Sequence, residues 1–232
     1  VHMKQKQEAT EKAEDLVRMA VANARMIQPL GEHTISVVQK AIVIGGGIAG
    51  MTSALKIADQ GYEVFLLEKA DKLGGNLWNL HYTLDRLDVH ALLQSTIERV
   101  KNHPMIHVLY NASIVDSGGS KGNFTTGVKS GPNGEYQQIR HGAVVVATGA
   151  EEAKPKEFLY GEDPRIVTHQ ELDHRFREKD PGLKNVETAV FVQCVGSREP
   201  DRPYCSRVCC THSVESALEL KRINPDCDVY VI

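Results

Sequence analysis

Four of the chain's five cysteines, Cys194, Cys205, Cys209 and Cys210, fall within a single short stretch, separated by ten residues, then three, then none. Thiolates are soft metal ligands and nucleophiles, so such crowding points to redox or metal chemistry. Structural zinc sites usually present paired C-x-x-C knuckles, and none occurs here. A redox disulfide would most simply use the same C-x-x-C pair, also missing. An iron–sulfur cubane offers four separate iron corners, so adjacent cysteines need not crowd one ion. Iron–sulfur, zinc and plain thiols therefore stand as three readings of one loop. Arg198, Arg202 and Arg207 interleave with the thiols, either as a solvated basic loop or as partial compensation of an anionic cluster. Cys227, alone in an apolar stretch, reads as a packed core residue. The histidines show no metal-ligand spacing.

A second constellation is Gly45-Gly46-Gly47-Ile48-Ala49-Gly50, a G-x-G-x-x-G placed between a predicted strand and a predicted helix. Gly45 permits the tight turn, Gly47 lets backbone approach a pyrophosphate, and Gly50 lets the helix pack close to the strand. The helix start, with Ile48 and Ala49, supplies free N–H groups for phosphate. Glu68 closes the next predicted strand, where an acid can hold ribose hydroxyls, and Lys69 follows it. Strand, loop, helix, strand and acid in this order predict a bound dinucleotide. Leu73-Gly74-Gly75-Asn76-Leu77 resembles the turn that two-domain flavoproteins place along the pyrophosphate and ribityl chain, and Ala147-Thr148-Gly149 resembles their A-T-G element. Alone, each could be an ordinary turn or strand end; together they select FAD over NAD. Ile114, in a short predicted strand, joins the candidate FAD contacts. Trp78 and Tyr82 either flank the flavin or pack.

The elements that must position these residues follow from periodicity. Apolar residues at three- and four-residue spacing predict a helix from Glu8 to Leu30, ended by Pro29 and packed on the domain surface. A strand at Lys40 to Ile44, a helix from Ile48 to Gln60 and a strand from Glu63 form a βαβ unit, with Gly61 at the helix C-terminus. Leu87 to Val100 reads as helix, Ile106 to Leu109 and Ala112 to Val115 as short strands, and Gly118 to Arg140 as a small antiparallel insertion. Ala143 to Ala147 returns to the parallel core. Thr168 and Glu171 form a capping box. A strand from Thr188 to Cys194, a helix from Thr211 to Arg222 and a strand from Asp228 open a second α/β unit. The expected divisions are a helical segment at 1–38, an FAD domain at 39–155, a connector at 156–187 and the second unit at 188–232. The expected fold is thus a Rossmann-type FAD-binding domain of the kind with two dinucleotide-binding domains, its second unit truncated.

Lysine and arginine number 27 against 30 acidic residues, a net charge of -3, which disfavours nucleic acid as a partner. The apolar runs are strand-sized, too short for a transmembrane segment. An odd cysteine count and no secretory signal suit a reducing, cytoplasmic protein. The start at Val1 and the end at Ile232 within a predicted strand suggest an excerpt of a longer chain.

The stretch from Gly45 to Leu84, the A-T-G element, FVQCVGSR from Phe191 to Arg198 and PYCSRVCC from Pro203 to Cys210 together resemble the heterodisulfide reductase A-subunit family, with its relatives in sulfate reducers and methanogens. The resemblance implies a thioredoxin-reductase-like flavin core carrying FAD, 4Fe-4S clusters, and partner subunits and electron carriers of a larger complex. It also implies an oxidoreductase whose flavin splits electron pairs, and it matches Cys194, Cys205, Cys209 and Cys210 to the ligands of one 4Fe-4S cluster. Two departures are visible: no C-x-x-C-x-x-C insert is present, and the later flavin-contacting strand of such enzymes is not reached. Competing readings are a pyridine-nucleotide-dependent disulfide reductase, which needs a reactive cysteine pair beside the flavin, and a non-catalytic FAD-binding assembly module.

Overall fold

The structure, a computed structural model, describes residues 5–28, 34–81, 83 and 85–232. Two compact units divide it, Val1–Ser36 and Val37–Ile232. In the first, helix α1 spans Lys6–Met26, and none of its residues is buried. Within this unit Leu16, Val17 and Val21 of its apolar stripe are exposed. Alanine-rich sequence and the ion pairs of Arg18 with Glu14 and Asp15 support the helix locally. It stops short of the expected end, because Ile27 is already extended; Pro29 and Leu30 lie outside the described residues.

The second unit begins with β1 (Lys40–Ile44), α2 (Ile48–Ala58), β2 (Glu63–Leu67), α3 (Val89–Asn102) and β3 (Ile106–Leu109). A three-stranded meander follows, β4 (Ser113–Ser120), β5 (Asn123–Ser130) and β6 (Glu135–His141), and then β7 (Ala143–Val146). The parallel sheet runs in the order β3-β2-β1-β7, and the antiparallel sheet in the order β4-β5-β6. Alternation along the strands explains the layers. Val43, Val64 and Leu66 pack with Met51, Leu55, Leu93 and Val100 of α2 and α3. Ile42 and Leu67 face the other way, into a core shared with Val128 and Ile139 of the meander. Strands covered on both faces read as continuous apolar runs, as β1 and β2 do. The last strand in this order, β7, pairs with β1 but stays largely exposed as the sheet edge.

The remainder contains α4 (His169–Arg177), β8 (Thr188–Phe191), α5 (Cys209–Ile223) and β9 (Asp228–Val231), with β8 and β9 parallel around the α5 crossover. Leu172 and Phe176 of α4 pack against Phe191 and Leu220 in a separate core. The Thr168–Glu171 capping box forms with both reciprocal bonds, and Gly61 takes a left-handed φ of 87° just after α2. Several bounds differ from the sequence reading. The antiparallel region opens at Ser113 rather than Gly118, because Ser113 to Ser120 pair continuously with β5 apart from one irregularity. Helix α3 starts at Val89, where Asp88 caps it by accepting from the Ala91 N–H. Strand β8 ends at Phe191, not Cys194, since Cys194 adopts a φ of 61° and its carbonyl accepts from the Ser197 N–H in a turn. Cys227 precedes β9 and is fully buried.

His141 is buried between β5 and β7. Its Nδ1–H donates to the Ala143 carbonyl at 3.1 Å, leaving Nε2 to accept from the Thr126 hydroxyl at 2.8 Å. Burial pushes its pKa below the ordinary 6.5, against a smaller upward pull from the Ala143 carbonyl. Such a group binds its proton more readily when unfolded, so its contribution to stability is present above pH 6.5 and lost as pH falls below it. Burial lowers His81 and His169 in the same sense, whereas His212, penalised by burial, is held up on balance by Asp173. We expect the change in urea midpoint between about pH 7.5 and about pH 5.5 to be less unfavourable to His141→Gln than to wild type. Parallel curves for the two proteins would contradict this account of His141.

Candidate functional site

The C-terminal ends of β1, β2 and β7 meet at the glycine loop. There the neighbours of β1 continue in opposite directions, the place where open α/β sheets form a ligand crevice. Gly45 has a φ of 107°, and a Cβ on it would stand 2.3 Å from the Ala147 carbonyl oxygen. One on Gly50 would stand 1.8 Å from the Gly45 oxygen, so helix and loop approach as only glycine allows. Gly47 differs: its φ is ordinary, and a Cβ there would meet no protein atom within 4 Å. What the protein leaves open at Gly47 is a cradle a side chain would fill. The first bond of α2 runs from the Met51 N–H to the Gly47 carbonyl, so the amides of Ile48, Ala49 and Gly50 precede the ladder, and no side chain caps them. These groups and the helix dipole suit a phosphate.

Glu68, only 7% exposed, stands beside this loop. Its Oε2 accepts from the Gly46 N–H at 2.7 Å and its Oε1 from the Ala70 N–H at 2.8 Å. A carboxylate has further lone pairs, so these bonds leave capacity for a sugar hydroxyl. Gly46 has no assigned role in the G-x-G-x-x-G pattern, yet a Cβ there would press on Glu68 and Leu73. Its place as the middle glycine of three is the signal that could have found it.

The second glycine turn lies against the first. Gly74 donates its N–H to the Gly46 carbonyl at 2.8 Å, and Gly47 and Gly74 form a parallel bridge. A 3-10 turn at Gly75–Trp78 closes on Leu73, whose carbonyl accepts from the Trp78 indole at 2.8 Å. With Lys72 above its ring and His90 at its edge, Trp78 packs in this turn; Tyr82 lies outside the described residues. Asn76 Oδ1 accepts from Gln170 of α4 at 2.8 Å. Leu77 is buried in the core and its N–H is taken by the Gly74 carbonyl, so its side chain is turned from the crevice. Thr148 and Gly149 follow β7 beside Gly45 and are exposed. Lys69 makes an exposed ion pair with Glu151 at 3.2 Å, and Ile114 of β4, also exposed, pairs with Val128.

The cysteine loop is a second centre. From Cys194 the chain folds back through Gly196, as the Arg198 N–H donates to the Tyr204 carbonyl and Glu199 bridges Arg202. Cys194, Arg198 and Arg207 all have positive φ, a concentration of strain in residues other than glycine that is uncommon away from functional sites. Cys205 Sγ accepts from the Arg207 N–H at 3.3 Å, and Cys209 Sγ lies 3.3 Å from the Ser206 hydroxyl. Cys209 and Cys210 open α5, whose N-terminus no side chain caps. Loss of solvent and then the nearby Cys209, Cys194 and Cys205 push the Cys210 thiol up, so the other three cysteines lie within electrostatic reach of Cys210. Among the described residues no three His, Cys, Asp or Glu side chains are clustered tightly enough for one metal ion; a tetrahedral zinc wants thiolates roughly 3.8 Å apart. Arg198, Arg202 and Arg207 are exposed.

Residues 39–192 match the family described as pyridine nucleotide-disulphide oxidoreductase. The match covers well over half of the chain, and the chain belongs to this family of oxidoreductases, whose Rossmann-type FAD-binding fold it has. Within that class, the resemblance to the A-subunit of heterodisulfide reductase is borne out. The iron-sulfur A-subunit 1 of CoB–CoM heterodisulfide reductase from Methanopyrus kandleri is 28% identical over 324 aligned residues, covering 99% of this chain and 48% of its own. The A-subunit of the H2:CoB-CoM heterodisulfide, ferredoxin reductase from Methanothermobacter thermautotrophicus is 28% identical over 318, with the same two shares. The chain therefore spans about half the length of the curated relatives it matches. Alignments longer than its 232 residues mean that those relatives carry segments with no counterpart here. Among solved structures, L-proline dehydrogenase from P. horikoshii is 19% identical, with a TM-score of 0.49, over 89% of this chain and 38% of its own.

The open space at Gly47 gives a sharp test. Gly47→Val is expected to fold with a thermal midpoint close to wild type, because no protein atom opposes the new side chain. Its FAD affinity should fall by at least about 100-fold, roughly 2.7 kcal/mol, when followed by quenching of flavin fluorescence. Unchanged FAD retention in the folded variant would refute the placement of the pyrophosphate.

Proposed function

We propose that this chain is the flavin-bearing part of a heterodisulfide-reductase-like electron-transfer subunit, in which FAD exchanges electrons with a 4Fe-4S cluster held by Cys194, Cys205, Cys209 and Cys210. The observation that carries the reading is that Cys209 and Cys210 open the uncapped start of α5, with Cys194 and Cys205 within electrostatic reach of Cys210, in the same compact unit as the glycine cradle. Bound FAD would supply two-electron chemistry divisible into single steps, and the cluster one electron at a time.

The chain's own residues fit these groups. Gly45, Gly47 and Gly50 form the phosphate turn, with the Ile48 and Ala49 amides at the helix start, and Glu68 holds the adenosine ribose. Gly74, Gly75, Asn76, Thr148 and Gly149 would line the cofactor, and Lys69 and Ile114, both exposed, would be further contacts. Leu77 contributes through the turn it anchors. At the cysteines, the Arg207 amide and the first amides of α5 stabilise sulfur charge, which raises a cluster's potential. Adjacent Cys209 and Cys210 would crowd a single zinc ion, whereas a cubane offers each a separate iron corner. Other subunits and carrier proteins of a complex would deliver and remove electrons; the relatives are named as A-subunits, one of them of a heterodisulfide, ferredoxin reductase. No helix among the described residues is long and apolar enough to cross a membrane. Five free cysteines suit the reducing cytoplasm, where we place the protein.

Reconstitution with iron and sulfide under nitrogen tests the ligand set. Cys209→Ser is expected to lose most of the iron, sulfide and visible absorbance beyond the flavin bands, while Cys227→Ser, altered in the core, keeps them. Full cluster content in Cys209→Ser, or its loss from folded Cys227→Ser, would show that the ligands are wrongly assigned.

A further inference from the structure

Helix α4 belongs to neither constellation singled out by sequence, yet its side chains reach both. At its N-terminus, the Gln170 N–H donates to Glu152, three residues beyond Gly149, and the Gln170 side chain donates to Asn76 in the second glycine turn. Near its C-terminus, Arg177 donates to the Trp78 carbonyl at 2.6 Å. These bonds fasten α4 to the candidate flavin crevice.

The same helix grips the cysteine elements. His169 stacks on Phe191 at the end of β8 and on His212 in α5, with centroids 6.0 and 4.7 Å apart. Its Nε2 lies 3.2 Å from the Ser213 hydroxyl, which also accepts from the side chain of Gln193, the residue before Cys194. One turn further along α4, Asp173 is 5% exposed. Its Oδ2 accepts from His212 Nε2 at 3.1 Å and from the His81 N–H at 3.2 Å. His212 and Ser213 lie shortly after Cys210. The bonds of His169 and Asp173 therefore fix the first turn of α5, and through Ser213 and Gln193 they fix the Cys194 turn against it.

The surroundings are costly to assemble. Among the described residues, Gln193 Oε1, Glu215 Oε1 and Ser216 Oγ are buried side-chain oxygens without a hydrogen-bond partner, and Glu152 Oε2 has only an ion pair with Lys154 at 3.6 Å. Leu172 and Phe176 of α4 already pack against Leu220 of α5, so the polar contacts beside them add register rather than burial.

We propose that His169 and Asp173 are positioning residues that hold the Cys209–Cys210 turn at a set distance from Cys194 and from the flavin crevice. This role rests on reading the four cysteines as one site. It does not require that iron fill that site, and the test is done without iron.

The 232-residue chain, purified under nitrogen and free of metal, is treated with a short bifunctional thiol reagent, and the linked peptides are quantified by mass spectrometry. The yield of links from Cys194 to Cys209 or Cys210 is divided by that of the Cys209–Cys210 link, which lies within one helical turn and controls for general exposure. Asp173→Ala should lower this ratio about tenfold, because misplacing reacting groups by an ångström costs that much or more. Asp173→Asn, whose amide oxygen can accept both bonds, should restore it. His169→Phe keeps the ring stack but loses the Ser213 bond, and should lower the ratio in a protein that remains folded even where Asp173→Ala does not. A wild-type ratio in His169→Phe, or an equal loss in Asp173→Asn and Asp173→Ala, would overturn the proposal. A changed ratio in protein that never takes up iron would leave the positioning role standing and remove the cluster.

Discussion

The geometry of the crevice depends on the Glu68 carboxylate. A buried carboxylate is tolerated only when its oxygens are answered, and here the Gly46 and Ala70 amides answer them. Those two bonds tie the loop after β1 to the end of β2, so the start of α2 is aimed by the neighbouring strand as well as by its own. Gly46 in turn accepts from Gly74, which sets the second glycine turn against the first. One side chain thus draws three segments, distant in sequence, around the same space. Gly45 and Gly50 are constrained by contacts within the protein, and only Gly47 of the three motif glycines is left to face something else.

Much of this was legible because it is local. The glycine triplet, the closing acid and the apolar strands each follow from residues within a few positions, and so does the capping box at Thr168. The alternation of Ile42 with Val43 and of Leu66 with Leu67 sends neighbours into two different cores. What the sequence hid depends on partners far along the chain. The apolar run of β7 rejoins the parallel sheet as expected, but its place beside β1 at the end of the order is set by pairing and not by composition.

At the cysteines the loop turns back through Gly196, and the strain of that turn was not legible. Cys194 lies beyond the strand in a left-handed conformation that a cysteine seldom adopts, and no local residue announces it. Leu77 shows the converse: its place in a glycine turn suggested a cofactor contact, while its size sends it into the core. The role of α4 was invisible because nothing in the neighbouring sequence sets Gln170, His169 and Asp173 apart. Only the fold brings Asn76, Glu152, Gln193 and His212 to them.

One compact unit, in this reading, holds a flavin and an iron–sulfur cluster together. The most direct test is analysis of a single sample purified without oxygen for flavin, iron, acid-labile sulfide and zinc. The expected result is FAD with iron and sulfide in equal amounts and no stoichiometric zinc. FAD accompanied by zinc, or by neither metal after reconstitution, would contradict it.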